Sequence, residues 1–243
     1  MSINKEVPMS FFRLFKGLSA ALAISIGSAC FAEDAVKPLA KGDNIVFFGD
    51  SITQGGSGAN GYITLYTKAA QAAHPDFNIT SVNAGISGHK VPNLQARVDK
   101  DVIAKKPTIV YIYIGINDVW HSVKGNGTSK EKYEAGLKEL ITKINAAGAR
   151  VILCTPTVIG EKKPGTNDLD TMLDEYSEIS RKVAADTKTQ LCDLHKAFQD
   201  YLKDNNPDNK EKGILTADKV HLNPAGNKLV AQLMLKAVGE DLK

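Results

Sequence analysis

Short apolar runs alternating with segments of helical periodicity restrict what this chain can fold into more than any other feature of it. The runs are Ile45–Phe48, Phe77–Val82, Thr108–Ile114, Val151–Cys154 and Thr189–Leu194. Between and after them, apolar residues recur at helical spacing in Tyr62–Ala73, Pro92–Lys106, Lys130–Ala147, Leu169–Thr187, Ala197–Lys203 and Ala225–Val238. This order predicts an α/β fold with a five-stranded parallel sheet covered by helices on both faces. Thr108–Ile114 is the clearest strand, since its β-branched and aromatic residues suit burial on both sides. The chain has 243 residues, enough for one large core, and no repeat or second domain interrupts it.

Residues 1–32 stand apart from this pattern. Arg13 and Lys16 precede an apolar run from Leu18 to Ala29, and Cys30-Phe31-Ala32 offers small residues to a signal peptidase. The run is too short for a spanning helix. It predicts a secretory signal peptide over 1–32, cleavage after Ala32, and a secreted or periplasmic product comprising residues 33–243. Met9 is a more conventional start than Met1. Lipoprotein processing at Cys30 is the alternative, against which Gly27 stands where a bulky aliphatic residue belongs. Removal of 1–32 takes Lys5, Glu6, Arg13 and Lys16 and lowers the net charge from +3 to +1. No basic patch points to nucleic acid as a partner, and no stable membrane span is expected. Cys154 and Cys192 are read as small buried thiols, although an oxidising compartment permits a bridge.

The polar signals converge on one edge of the predicted sheet. Ile45–Phe48 runs into Gly49-Asp50-Ser51, which places a serine where open α/β sheets bind their ligands. Alone, Asp50 and Ser51 are ordinary turn and cap residues. Strand ends in a parallel sheet point the same way, so Asn83–Gly88 and Gly115-Ile116-Asn117-Asp118 meet the same rim. Asp218-x-x-His221 precedes the last helix, at a spacing that lets one tight turn bring carboxylate and imidazole together. Each is unremarkable by itself, as a surface turn or a helix-flanking histidine; four such signals at one rim are not. The Gly-rich Gln54–Gly61 loop contains neither dinucleotide nor P-loop spacing. The five histidines are scattered and no H-E-x-x-H occurs, so neither metal nor cofactor is expected.

Gly49-Asp50-Ser51, the glycine of Ile86-Ser87-Gly88, Gly115-x-Asn117-Asp118 and Asp218-x-x-His221 resemble, in order and spacing, the blocks of the SGNH hydrolases, or GDSL esterase/lipase family. The resemblance spans about Asn44 to Val238. It implies a flavodoxin-like three-layer α/β/α sandwich and a serine esterase. Carried over by position, it implies Ser51 as nucleophile, His221 as base and Asp218 as the acid that orients it. The implied oxyanion hole is the backbone N–H of Ser51, the backbone N–H of Gly88 and the side-chain amide of Asn117. Asp50 and Asp118 would hold loops. The G-x-S-x-G elbow of the α/β-hydrolases is absent. His89-Lys90 depart from the family pattern, in which an acidic or small polar residue and then Thr or Ser are common. Trp120 and His121, read as part of a Val119–Ser129 loop, either line the substrate pocket or pack.

The implied substrate is a small-molecule or carbohydrate ester, with acetylated carbohydrate first by family analogy. Short-chain lipid or lysophospholipid esters and thioesters are the enzymatic alternative. A non-catalytic carbohydrate-binding protein on the same fold is the remaining reading.

Overall fold

The computed structural model describes residues 36–242. The signal peptide expected over 1–32, with its cleavage at Ala32 and the alternative at Cys30, lies outside the described residues. The sheet consists of β1 (Asn44–Gly49), β2 (Thr80–Gly85), β3 (Ile109–Tyr113), β4 (Arg150–Cys154) and β5 (Gln190–Cys192), all parallel, in the order β2-β1-β3-β4-β5. The helices are α1 (Ser51–Gly55), α2 (Tyr62–Ala73), α3 (Val91–Asp101), α4 (Ile116–Trp120), α5 (Lys130–Ala146), α6 (Asp170–Asp186), α7 (Leu194–Asn205) and α8 (Pro224–Lys236).

The strand order makes the chain reverse direction across the sheet after β2. Right-handed crossovers therefore put the helices before and after the reversal on opposite faces. Accordingly α2 packs with α8, whereas α3, α5 and α6 pack side by side. The result is the flavodoxin-like α/β/α arrangement, whose switch point lies at the carboxyl ends of β1 and β3.

β1 and β3 form the centre of the core. Ile45, Val46, Phe47 and Phe48 are buried, as is every residue of β3. Phe47 stacks on Tyr111 at 5.2 Å between ring centroids and meets the edges of Tyr62 and Tyr66. Two of the buried tyrosine hydroxyls in this layer are paired: Tyr111 donates to the Met234 carbonyl at 2.7 Å and Tyr62 to Thr53 Oγ1 at 3.0 Å. Tyr62 thus ties the aromatic layer to the first turn of α1. Cys154 and Cys192 are free, buried and in register on β4 and β5.

Three local expectations change. The second strand is shifted from Phe77–Val82 by three residues; Pro75–Phe77 form a 3-10 turn, Asn78 is left-handed at φ 54°, and pairing with β1 runs from Thr80 to Gly85. Asn83 belongs to that strand because its amide donates to Thr53 O at 2.8 Å and Ser57 Oγ at 2.8 Å. The Val119–Ser129 loop is instead the end of α4 followed by a 3-10 turn over His121–Lys124. The Gly-rich Gln54–Gly61 segment is not all loop: its first two residues complete the short helix α1, which Asp50 starts as N-cap.

Candidate active site

The site begins where β1 stops. Gly49 must be glycine, since a Cβ there would lie 2.2 Å from Thr53 Oγ1 and 2.3 Å from the Tyr113 carbonyl. This close approach lets α1 fold back against the strand end. Asp50 caps α1 by accepting from the Ile52 N–H at 2.9 Å. Ser51 is consequently the first helical residue, a position whose N–H has no intrahelical acceptor.

His221 reaches Ser51 from the other end of the chain. Its Nε2 lies 2.9 Å from Ser51 Oγ, and its Nδ1 lies 2.7 Å from Asp218 Oδ2. With Nδ1 protonated towards the carboxylate, Nε2 is the acceptor facing the serine hydroxyl. Asp218 Oδ1 also accepts from the backbone N–H groups of His221 at 2.8 Å and Val220 at 3.1 Å. Partial burial pushes the Asp218 carboxyl up, but these donors and the ring of His221 outweigh it and hold it below the usual carboxylate range. The pair sits at the surface, with side chains 41% and 52% exposed for His221 and Asp218.

The loops after the two strands flanking β1 supply the remaining predicted residues. Ile86 to His89 form a turn closed by the His89 N–H on the Ile86 carbonyl. Gly88 occupies its third position at φ 76°, the conformation a type II turn demands of glycine. On the β3 side, Asn117 is buried at the start of α4, and its amide donates to the His89 carbonyl at 3.1 Å. The amide has a second hydrogen to offer. That bond joins the loop of Gly88 to the loop of Asn117.

Asp50 and Asp118 lie beneath these groups, both buried. Burial, with the charge of Asp118 nearby, pushes the Asp50 carboxyl up to about 7 against the pull of the Ile52 N–H and His221. Burial pushes Asp118 up to about 6. Asp118 accepts from the Val91 N–H at 3.1 Å, which anchors the start of α3. His89 and Lys90 make structural bonds: His89 Nδ1 accepts from Arg97 at 3.0 Å, and Lys90 Nζ donates to the Asn126 carbonyl at 2.5 Å. Burial, then the Arg97 charge, holds the His89 imidazole below its ordinary pKa.

Arg97 is absent from the sequence reading of the site. Its guanidinium donates to the carbonyls of Gly49 and Ala84, each at 2.8 Å, and lies 4.5 Å above the Phe48 ring. It therefore clamps the carboxyl ends of β1 and β2 while holding His89. The one available signal was an arginine at helical spacing on the apolar face of Leu94 and Val98. Trp120, at the end of α4, and Ile86, in the turn after β2, are exposed, 40% and 39%.

Residues 47–229 match the model of the GDSL-like lipase/acylhydrolase family. An acetylxylan esterase of Geobacillus stearothermophilus is 34% identical over 220 residues, covering 83% of this chain and 96% of the relative. The crystal structure of the acetyl xylan esterase AlAXEase superposes with a TM-score of 0.78 at 43% identity, over 80% of this chain and 99% of that one. Axe2, an acetylxylan esterase from Geobacillus stearothermophilus, superposes with a TM-score of 0.74 at 32% identity, over 84% and 97%. Catalytic mutants of Axe2 replace a serine, an aspartate and a histidine by alanine, the aspartate three positions before the histidine. A rim serine on a 2-1-3-4-5 sheet, with these matches over most of the chain, makes the protein a member of the GDSL-like lipase/acylhydrolase (SGNH) family of carboxylic ester hydrolases.

Proposed function

We propose that the enzyme removes acetyl groups from carbohydrate by a Ser51–His221–Asp218 mechanism, in an exported form that starts near Glu33. The hydrogen-bonded chain from Ser51 Oγ through the His221 ring to Asp218 carries this reading. A serine hydroxyl is a weak nucleophile until a base removes its proton. His221 Nε2 takes that proton as Oγ attacks the acetyl carbonyl, and Asp218 stabilises the imidazolium. The carbonyl oxygen becomes anionic. The N–H groups of Ser51 and Gly88 and the Asn117 amide are the donors proposed to meet it. His221 returns the proton to the departing sugar hydroxyl, leaving an acetyl-Ser51 ester. Water then attacks that ester with His221 again as base, releasing acetate and free serine.

The acetylxylan esterases that the chain resembles support acetylated xylan as the substrate class. An exposed pair of catalytic side chains suits an ester carried on a large polar chain. Initial rates on p-nitrophenyl esters of rising acyl length, beside acetate release from acetylated xylan, test the proposal. Acetate should be the best acyl group and acetylated xylan a substrate; faster turnover of long acyl chains, with none on xylan, would overturn the deacetylase assignment. N-terminal sequencing of the protein from its native host tests the export component. An intact Met1 or Met9 contradicts it, and a lipid-modified Cys30 replaces free secretion by anchoring.

A further inference from the structure

We infer that Glu161 is a positioning residue that holds His221 and Asp218 against Ser51. The inference rests on the triad reading above. Glu161 lies in the segment after β4 and is only 1% exposed. Its carboxylate accepts from the N–H groups of Ile214 at 2.7 Å, Leu215 at 2.7 Å and Thr216 at 2.5 Å, and from Thr216 Oγ1 at 2.8 Å. A buried carboxylate is costly unless compensated. Among the described residues, every bond that compensates this one comes from 214–216. Its charge is therefore committed to one short stretch of backbone.

That stretch is the root of the turn bearing the acid and base. Thr216 bridges to Leu222 in antiparallel fashion, and Ala217 N–H donates to the His221 carbonyl at 2.8 Å. Asn223 N–H donates to the Leu215 carbonyl at 2.9 Å, so the two legs of the turn are paired. Asp218 to His221 form its tip. Glu161 grips the first leg, and the neighbouring Gly160 N–H grips the tip itself, donating to the Lys219 carbonyl at 2.9 Å. Lys219 stands at φ 90°, a conformation that a non-glycine residue holds only when its surroundings enforce it. The β4 segment thus sets the position of the turn whose tip must deliver Nε2 to within hydrogen-bond reach of Oγ. A displacement of about 1 Å in such a site is enough to lower the rate on the order of 100-fold.

Glu161→Gln keeps the shape but turns an amide NH₂ towards backbone N–H donors. At a temperature well below its unfolding transition, with folding checked by circular dichroism, kcat on p-nitrophenyl acetate should fall by about 10- to 100-fold. KM should stay within about two-fold, since the substrate contacts are untouched. The downfield proton resonance of His221 Nδ1–H should shift or broaden in the same variant. Glu161→Asp, which keeps the charge but is one methylene shorter, should recover part of both. If Glu161→Gln fails to fold, Thr216→Val removes one of the four donors, and a several-fold loss of kcat at constant KM is expected from it.

A folded variant with a lower melting temperature, wild-type kcat and an unmoved Nδ1 resonance would show that Glu161 serves stability alone. The NMR readout needs no substrate. Failure of the esterase reading would appear separately, as wild-type protein inert on every ester.

Discussion

At the scale of single residues, the proposed mechanism divides its labour between groups that react and groups that wait for charge. Ser51→Ala removes the proposed covalent route, so acetyl-enzyme should not form and only trace turnover should remain. Asn117→Ala leaves Ser51 and His221 in place. It removes one of the proposed oxyanion donors, so kcat should fall by about 10²–10³-fold while KM changes little. Steady-state kinetics of the two variants on one acetate ester separates the roles; a folded Asn117→Ala with wild-type kcat would take Asn117 out of the oxyanion hole. Gly88 has a different constraint. A Cβ there meets nothing within 4 Å, so Gly88→Ala is a test of φ 76° alone. It should destabilise by about 1–2 kcal/mol in urea unfolding. An unchanged unfolding midpoint would mean that the turn relaxes to another conformation.

At the scale of elements, the candidate active site is a set of strand ends held in register by buried side chains from elsewhere. Arg97 on α3 ties the ends of β1 and β2 together, and Asn227 on α8 accepts from the Tyr62 N–H at 2.9 Å at the start of α2. Arg97→Met removes the guanidinium bonds to the Gly49 and Ala84 carbonyls, although the Gly49 carbonyl keeps the Ile86 N–H at 3.2 Å. A hydrogen bond to a charged group is worth about 1.5–3 kcal/mol, so losing these two should cost about 3 kcal/mol or more in urea unfolding. Loss of the His89 bond should also lower kcat, because the Gly88 turn then has one anchor fewer. Unchanged stability and activity together would mean that strand pairing alone sets this edge. The strand β2 shows how such contacts also set secondary structure. Its end, Asn83-Ala84-Gly85, reads as a loop in sequence, yet it pairs with β1 at every position.

At the scale of the whole molecule, two buried carboxyls beneath the site couple its stability to pH. Asp50 and Asp118 are raised from an ordinary 3.8 to about 7 and about 6 in the folded protein. The folded state therefore keeps protons that the unfolded chain releases. The stability this contributes is complete below about pH 4 and is lost as pH rises through 6 and 7. Asp50→Asn retains an acceptor for the Ile52 N–H but cannot titrate. Its melting temperature should fall less than that of the wild type between pH 5 and pH 8, and parallel curves would refute the burial effect. Local pattern decided much of this fold. Alternating strand and helix signals mark the layers, and glycines and polar residues at strand ends mark Ser51, Gly88, Asn117, Asp218 and His221, because turns and caps are short-range chemistry. The roles of Arg97 and Glu161 were not legible in this way. Their partners are main-chain carbonyls and N–H groups 48 and 54 residues distant, as in the bonds to Gly49 and Leu215. Nearly every residue offers such groups, so no spacing marks the right ones, and only the packed tertiary structure selects them.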